Sequence, residues 1–105
     1  MKYTKAKFDA ATIKNAISPY DFYLREQNLA RYGNRSGKWV VAGLCPFHED
    51  SNPGSFKINV DTGAFKCWSC GVGGGDVIAF LQQRDDLGFI EVLKRLSREW
   101  EVYDV

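Results

Sequence analysis

The sequence predicts an α+β fold, a small antiparallel sheet with helices toward both ends of the chain. Three observations carry this. Apolar residues recur at helical spacing in residues 8–25 and 76–100, period-two alternation runs through residues 55–60, and two tight Cys/His clusters bracket that alternation.

Taking the elements in order, Ile13, Ala16 and Ile17 give residues 8–17 one apolar helical face. Ser18-Pro19 then reads as an N-cap followed by proline at the first helical position, opening a second helix to about Arg25 with Tyr20, Tyr23 and Leu24 on one side. From Gln27 to Lys38, the residues Asn28, Gly33, Asn34, Ser36 and Gly37 predict a loop, decorated by Arg31, Arg35 and Lys38. Trp39 to Leu44 is a β-prone run. Ser55 to Val60 alternates Phe56, Ile58 and Val60 with Lys57 and Asn59, and Ala64 to Trp68 forms a third strand after a turn at Asp61, Thr62 and Gly63. If the hairpin loop holds an even number of residues or a bulge, Ile58 or Val60 shares a face with Phe65, and Lys57 and Lys66 share the other. Glycines 71, 73, 74 and 75 lack the lysine and Ser/Thr of a phosphate loop and read as a turn before a helix that Asp76 caps and that runs to about Gln83. A last helix, Gly88 to Trp100, places Phe89, Val92, Leu93, Leu96 and Trp100 on one stripe, expected to be buried.

With 105 residues, 45% hydrophobic and 26% charged, the chain suits one domain spanning 1–105, small enough for a metal staple to matter. The apolar stretches Val77 to Leu81 and Trp39 to Leu44 fall far short of the ~20 residues a membrane span needs. No membrane association is expected. Met1 to Lys7 has lysines but no apolar segment behind it, so the cytoplasm is the expected compartment.

Three cysteines cannot close an even set of disulfides, and all lie in the clusters that hold the single histidine. Cys45-Pro46-Phe47-His48 and Cys67-Trp68-Ser69-Cys70 supply two ligand pairs with two-residue spacers, as tetrahedral zinc requires. Cys45, His48, Cys67 and Cys70 are the candidate ligands of one structural zinc ion, in a ribbon spanning about residues 38–72. A thioredoxin-like redox pair is disfavoured because no helix starts at the CxxC. Four protein ligands leave no open position for catalysis, and one histidine among three cysteines favours zinc over an iron–sulfur cluster. Three thiolates and a zinc dication take the formal charge from +1 to 0, so any attraction to nucleic acid must be local.

From Ile13 to Trp100 the chain resembles the N-terminal zinc-binding domain of bacterial DnaG-type DNA primases. The resemblance rests on Gly43-Leu44-Cys45-Pro46-Phe47-His48 and Phe65-Lys66-Cys67-Trp68-Ser69-Cys70-Gly71, with Gly73 to Phe80 and Phe89 to Leu96 matching the helices that follow. The family's Thr-Pro-Ser-Phe run stands here as Asn52-Pro53-Gly54-Ser55-Phe56, one glycine longer. The resemblance implies a non-catalytic module that recognises single-stranded template DNA and helps a separate catalytic domain begin an RNA primer in replication, with a catalytic primase domain, a replicative helicase or both as expected partners. The chain stops at Val105, before any catalytic domain of the primase type, and is expected not to polymerise nucleotides alone.

The charge is asymmetric. Residues 27–48 carry Arg31, Arg35 and Lys38 without an acid, whereas residues 85–105 carry six acids against Lys94, Arg95 and Arg98. If Lys57 and Lys66 share the exposed sheet face, they extend this basic patch toward phosphates, although lysines also guard sheet edges against aggregation. Phe47, Phe56 and Phe65 are expected in the core, and Tyr32 lies near the ribbon. Trp39 and Trp68 are the candidate stacking platforms. The candidate DNA contacts are thus Lys57, Lys66, Arg35, Lys38, Trp39 and Trp68. The competing function is a protein-interaction ribbon that docks a helicase, polymerase or replication initiator. A duplex-reading regulator ranks behind both, since neither C-terminal helix is markedly basic on one face.

Overall fold

A computed structural model describes residues 9–27, 35–49 and 54–102. Arg31 and Tyr32 lie outside the described residues, as do Phe8, Asn52, Pro53 and the side chain of Arg35.

The architecture is α+β. Helices α1 (Ala10–Ala16) and α2 (Pro19–Gln27) come first. Strands β1 (Arg35–Ser36), β2 (Trp39–Val41), β3 (Phe56–Asn59), β4 (Phe65–Cys67) and β5 (Gly73–Gly74) follow, then helices α3 (Val77–Asp85) and α4 (Phe89–Glu99). The strands form one antiparallel sheet in chain order, with each strand beside the next.

Asp9 caps α1 by accepting from the Ala11 N–H, and Ile13 and Ile17 of its apolar face are buried. Ala16, expected on that face, is exposed: the helix ends there, and Ile17 takes an extended conformation beyond it. Ser18 Oγ accepts from the Asp21 N–H as the predicted cap. Asp76 caps α3 through the Ala79 N–H at 2.8 Å. In α4 the stripe is buried at Val92, Leu93 and Leu96, while Phe89 in the first turn is exposed and Trp100 at the C-cap is half-buried.

The β3–β4 register pairs Ile58 with Phe65 and Lys57 with Lys66. Asn59 and Ala64 close a four-residue loop, the even number that keeps both faces in phase, and the Asn59 side chain holds the N–H groups of Asp61 and Thr62. Phe56, Ile58, Phe65 and Val40 therefore point inward, and Trp39, Lys57 and Lys66 lie on the opposite face.

Two strands depart from the expected loops. β1 hairpins onto β2 through a Gly37-Lys38 turn inside the segment expected to be loop. β5 is the Gly73–Gly74 pair expected to be a turn; without side chains it shows no alternation, yet it pairs with Phe65 and Lys66. A Cβ on Gly74 would sit 2.6 Å from the Phe65 ring, so close approach accounts for the glycine.

The core centres on Phe80 of α3. Its ring meets Phe22 and Tyr23 of α2 at 6.0 and 5.0 Å, Phe65 at 5.4 Å and Phe47 at 5.7 Å, all edge-to-face. The helical side is pinned separately: Arg84 and Arg95 both reach Glu26 and Asp85, and Arg95 also reaches Glu99.

Candidate metal centre and sheet face

The β2 strand hands the chain to the first cluster. The Ala42 N–H still bonds to the Phe56 carbonyl, after which Gly43 (φ +75°) turns the backbone toward Cys45. The second cluster begins at the end of β4 and folds back through a tight turn, in which the Gly71 N–H reaches the Cys67 carbonyl at 2.8 Å and Gly71 adopts φ +86°.

These turns bring the four predicted residues together. One ligand atom from each of Cys45, His48, Cys67 and Cys70 lies within 4.8 Å of the others. Cys45 Sγ and Cys70 Sγ are 3.9 Å apart, and Cys67 Sγ is 3.4 Å from His48 Nε2. A tetrahedral zinc bonded at about 2.3 Å to sulfur and about 2.0 Å to nitrogen separates two sulfurs by about 3.8 Å and a sulfur from a nitrogen by about 3.5 Å. The donor set fits that ion.

Neighbouring groups surround the candidate ligands. His48 Nδ1–H donates to the Glu49 carbonyl at 3.1 Å, which selects the tautomer whose Nε2 carries the lone pair that coordination needs. The Phe47 N–H approaches Cys45 Sγ, and the Cys70 N–H approaches Cys67 Sγ, each at 3.4 Å. Burial pushes the Cys45 thiol up to about 12. Burial also opposes the Cys67 thiolate, but hydrogen bonds, those from the Cys70 and Ser69 N–H groups foremost, outweigh it and bring that thiol down to about 6.

The remaining candidates divide. Trp39 and Trp68 meet with ring centroids 5.8 Å apart and planes at 90°, and Trp68 is 61% exposed. Lys57 Nζ stands 5.8 Å from the Trp68 ring, and Lys66, opposite Lys57 in the register, reaches the Gly71 carbonyl at 3.4 Å. These four side chains share the face away from the core. Lys38 stands apart: it is exposed in the β1–β2 turn and its ammonium pairs with Asp61. Gly73 and Gly74 border the same face, a placement that residue type and spacing do not signal and that only the β4–β5 register reveals. Phe56 and Phe65 are in the core as expected, and Phe47 is half-buried, stacked on Phe65 at 5.7 Å.

Residues 27–103 match the family model described as the CHC2 zinc finger, a DnaG zinc ribbon. The DNA primase of Lactococcus lactis is 41% identical over 64 residues, 61% of this chain and 10% of that protein. The DNA primase of Streptomyces coelicolor is 39% identical over 93 residues, 89% of this chain and 13% of that protein. A crystal structure of the Aquifex aeolicus primase, containing its zinc-binding and RNA polymerase domains, superposes with a TM-score of 0.68 at 29% identity, covering 89% of this chain and 21% of that one. The chain thus spans roughly a tenth to a fifth of the proteins it matches.

Proposed function

Since this chain belongs to the CHC2 zinc-finger family, the zinc-binding domain of DnaG-type DNA primases, we propose that it serves a primase system by holding single-stranded template DNA on its open sheet face. The cofactor is one zinc ion. Cys45, His48, Cys67 and Cys70 are proposed as its ligands, and residues 1–105 as one zinc-binding unit with its ribbon at about 38–72. The zinc, when bound, supplies a fixed tetrahedral junction between the two knuckles and no open coordination position.

The observation that carries the reading is the placement of Lys57, Lys66, Trp39 and Trp68 on one face, with the core on the other. Two ammonium groups beside two indoles offer phosphate contacts and stacking surfaces together, the combination that holds single strands with little sequence preference. Lys38 extends the charge at the β1–β2 turn, at the cost of its Asp61 pair, and Arg35 of β1 is proposed to act with it. A catalytic primase domain or a replicative helicase is the proposed partner that uses the held strand.

Fluorescence anisotropy of zinc-loaded protein with single-stranded and duplex oligonucleotides tests this. Single strands are expected to bind preferentially, weakening as salt rises. In a Lys57→Glu, Lys66→Glu variant of confirmed zinc content, the logarithmic salt slope should flatten by about 1.4, two phosphate contacts at about 0.7 each. No binding by the intact zinc-loaded chain would favour the docking reading. Phe89 and Ile90, 47% and 51% exposed at the start of α4, are the observation on its side.

A further inference from the structure

We infer that the open face carries a slot for one unpaired nucleobase, in the corner between Trp39 and Trp68 and beside the β4–β5 strands. The inference deepens the single-strand reading above and rests on it.

The slot is a shallow, largely open cleft of about 490 Å³ bordered by Trp39, Trp68, Phe65, Lys66, Gly73 and Gly74. That volume lies within the roughly 300–1,000 Å³ of small-ligand sites. Its chemistry is specific in shape. Two indoles at right angles form a corner in which a flat ring can lie on one while its edge meets the face of the other. Lys57 beside the Trp68 ring and Lys66 on the adjoining strand add positive charge at the rim. A planar group attached to an anionic chain satisfies both features, and a nucleotide within a strand is such a group. An aromatic side chain of a protein would use the corner but leave the cations unanswered.

Gly73 keeps the cleft open. Gly73 faces Lys66 across the strand pair, and a Cβ on it would lie 3.3 Å from Lys66 Cδ and 3.0 Å from the Phe65 carbonyl oxygen. Any larger residue there would intrude beside Lys66. In a duplex the base is stacked on both sides and paired along its edge, so it cannot enter a corner of this kind without leaving the helix. The slot therefore favours single strands by geometry, separately from charge.

The test compares a labelled short oligothymidylate with an abasic strand of equal length and charge, binding to the zinc-loaded chain and to its Trp68→Leu and Trp68→Phe variants. Trp68 is exposed, so zinc content and far-UV circular dichroism should match the parent. The parent is expected to bind oligothymidylate about tenfold more tightly than the abasic strand. Trp68→Leu should lose that preference while binding the abasic strand as the parent does, and Trp68→Phe should keep most of it. Equal affinity of the parent for both strands would overturn the slot and leave the electrostatic face standing, as would a preference that survives Trp68→Leu. Failure to bind either strand would remove the single-strand reading itself, and the slot with it.

Discussion

Tyr23 Oη donates a 2.7 Å hydrogen bond to the Gly63 carbonyl, so α2 grips the turn of the β3–β4 hairpin forty residues away. The bond is buried, and burial together with the nearby Asp76 carboxylate keeps the phenol protonated far above its ordinary range. Gly63 is held there by φ +83° and by Val77, whose Cγ1 would lie 3.1 Å from an added Cβ. Helix α2 is thereby tied to the β3–β4 turn, as the Gln27 amide ties its other end to the Ala42 and Leu44 carbonyls.

Removing that oxygen should be costly without disturbing the packing. In Tyr23→Phe the Gly63 carbonyl is left buried and unpaired, a penalty of about 1–2 kcal/mol. Urea denaturation of the zinc-loaded chain should show a lower midpoint with an unchanged slope. An unchanged midpoint would mean that water replaces the phenol.

Chelation should act on the ribbon first. Structural zinc contributes on the order of 10 kcal/mol in small finger peptides, and two of the sulfurs it would hold here, those of Cys45 and Cys67, are buried. With a strong chelator, near-UV circular dichroism from the aromatic residues around the ribbon should collapse while part of the helical far-UV signal persists. Cys67→Ser should give the same spectrum without chelator. Retention of zinc by that variant would argue against its place in the ligand set.

The glycines of β5 should differ sharply from their neighbour. Gly74→Ala drives a methyl into the Phe65 ring and should cost about 1–3 kcal/mol through overpacking. Gly75→Ala meets nothing within 4 Å and should stay within about 0.5 kcal/mol of the parent. Thermal unfolding of the two variants side by side checks the contrast.

Asp85 gives a pH signature. Hydrogen bonds from Arg84 first, opposed by burial and helped by Arg95, hold its carboxyl down to about 2 from the ordinary 3.8. A depressed carboxyl contributes stability that is fully present above the unfolded value and is lost as pH falls through the folded one. The melting-temperature difference between parent and Asp85→Asn should therefore be constant from about pH 8 to 5 and narrow only below about pH 4. A difference that already shrinks between about pH 7 and 5 would mean another group carries the pairing.

The candidate metal cluster is legible in the sequence because its spacing is chemistry: two-residue spacers and one intervening hairpin leave the four side chains few other arrangements. The lysine pair follows from period two once the loop length is even. What the sequence hides are β1 and β5. Arg35–Ser36 is too short to show a period, and Gly73–Gly74 has no side chains with which to show one. Phe89 misleads for another reason: helical spacing places it on the stripe, but it sits in the first turn and stays about half exposed. Lys38 is legible as a cation but not as the partner of Asp61, since that pair closes across the sheet.

The perpendicular indoles also give the molecule an optical reporter of its own. Two identical chromophores 5.8 Å apart exchange excitation, and their coupled bands depend on the angle between them. Trp100 lies instead against Phe22 and beneath Arg25, remote in sequence and on the helical side. Its emission provides an internal standard, so a change confined to the coupled pair would locate an event on the open face without any label.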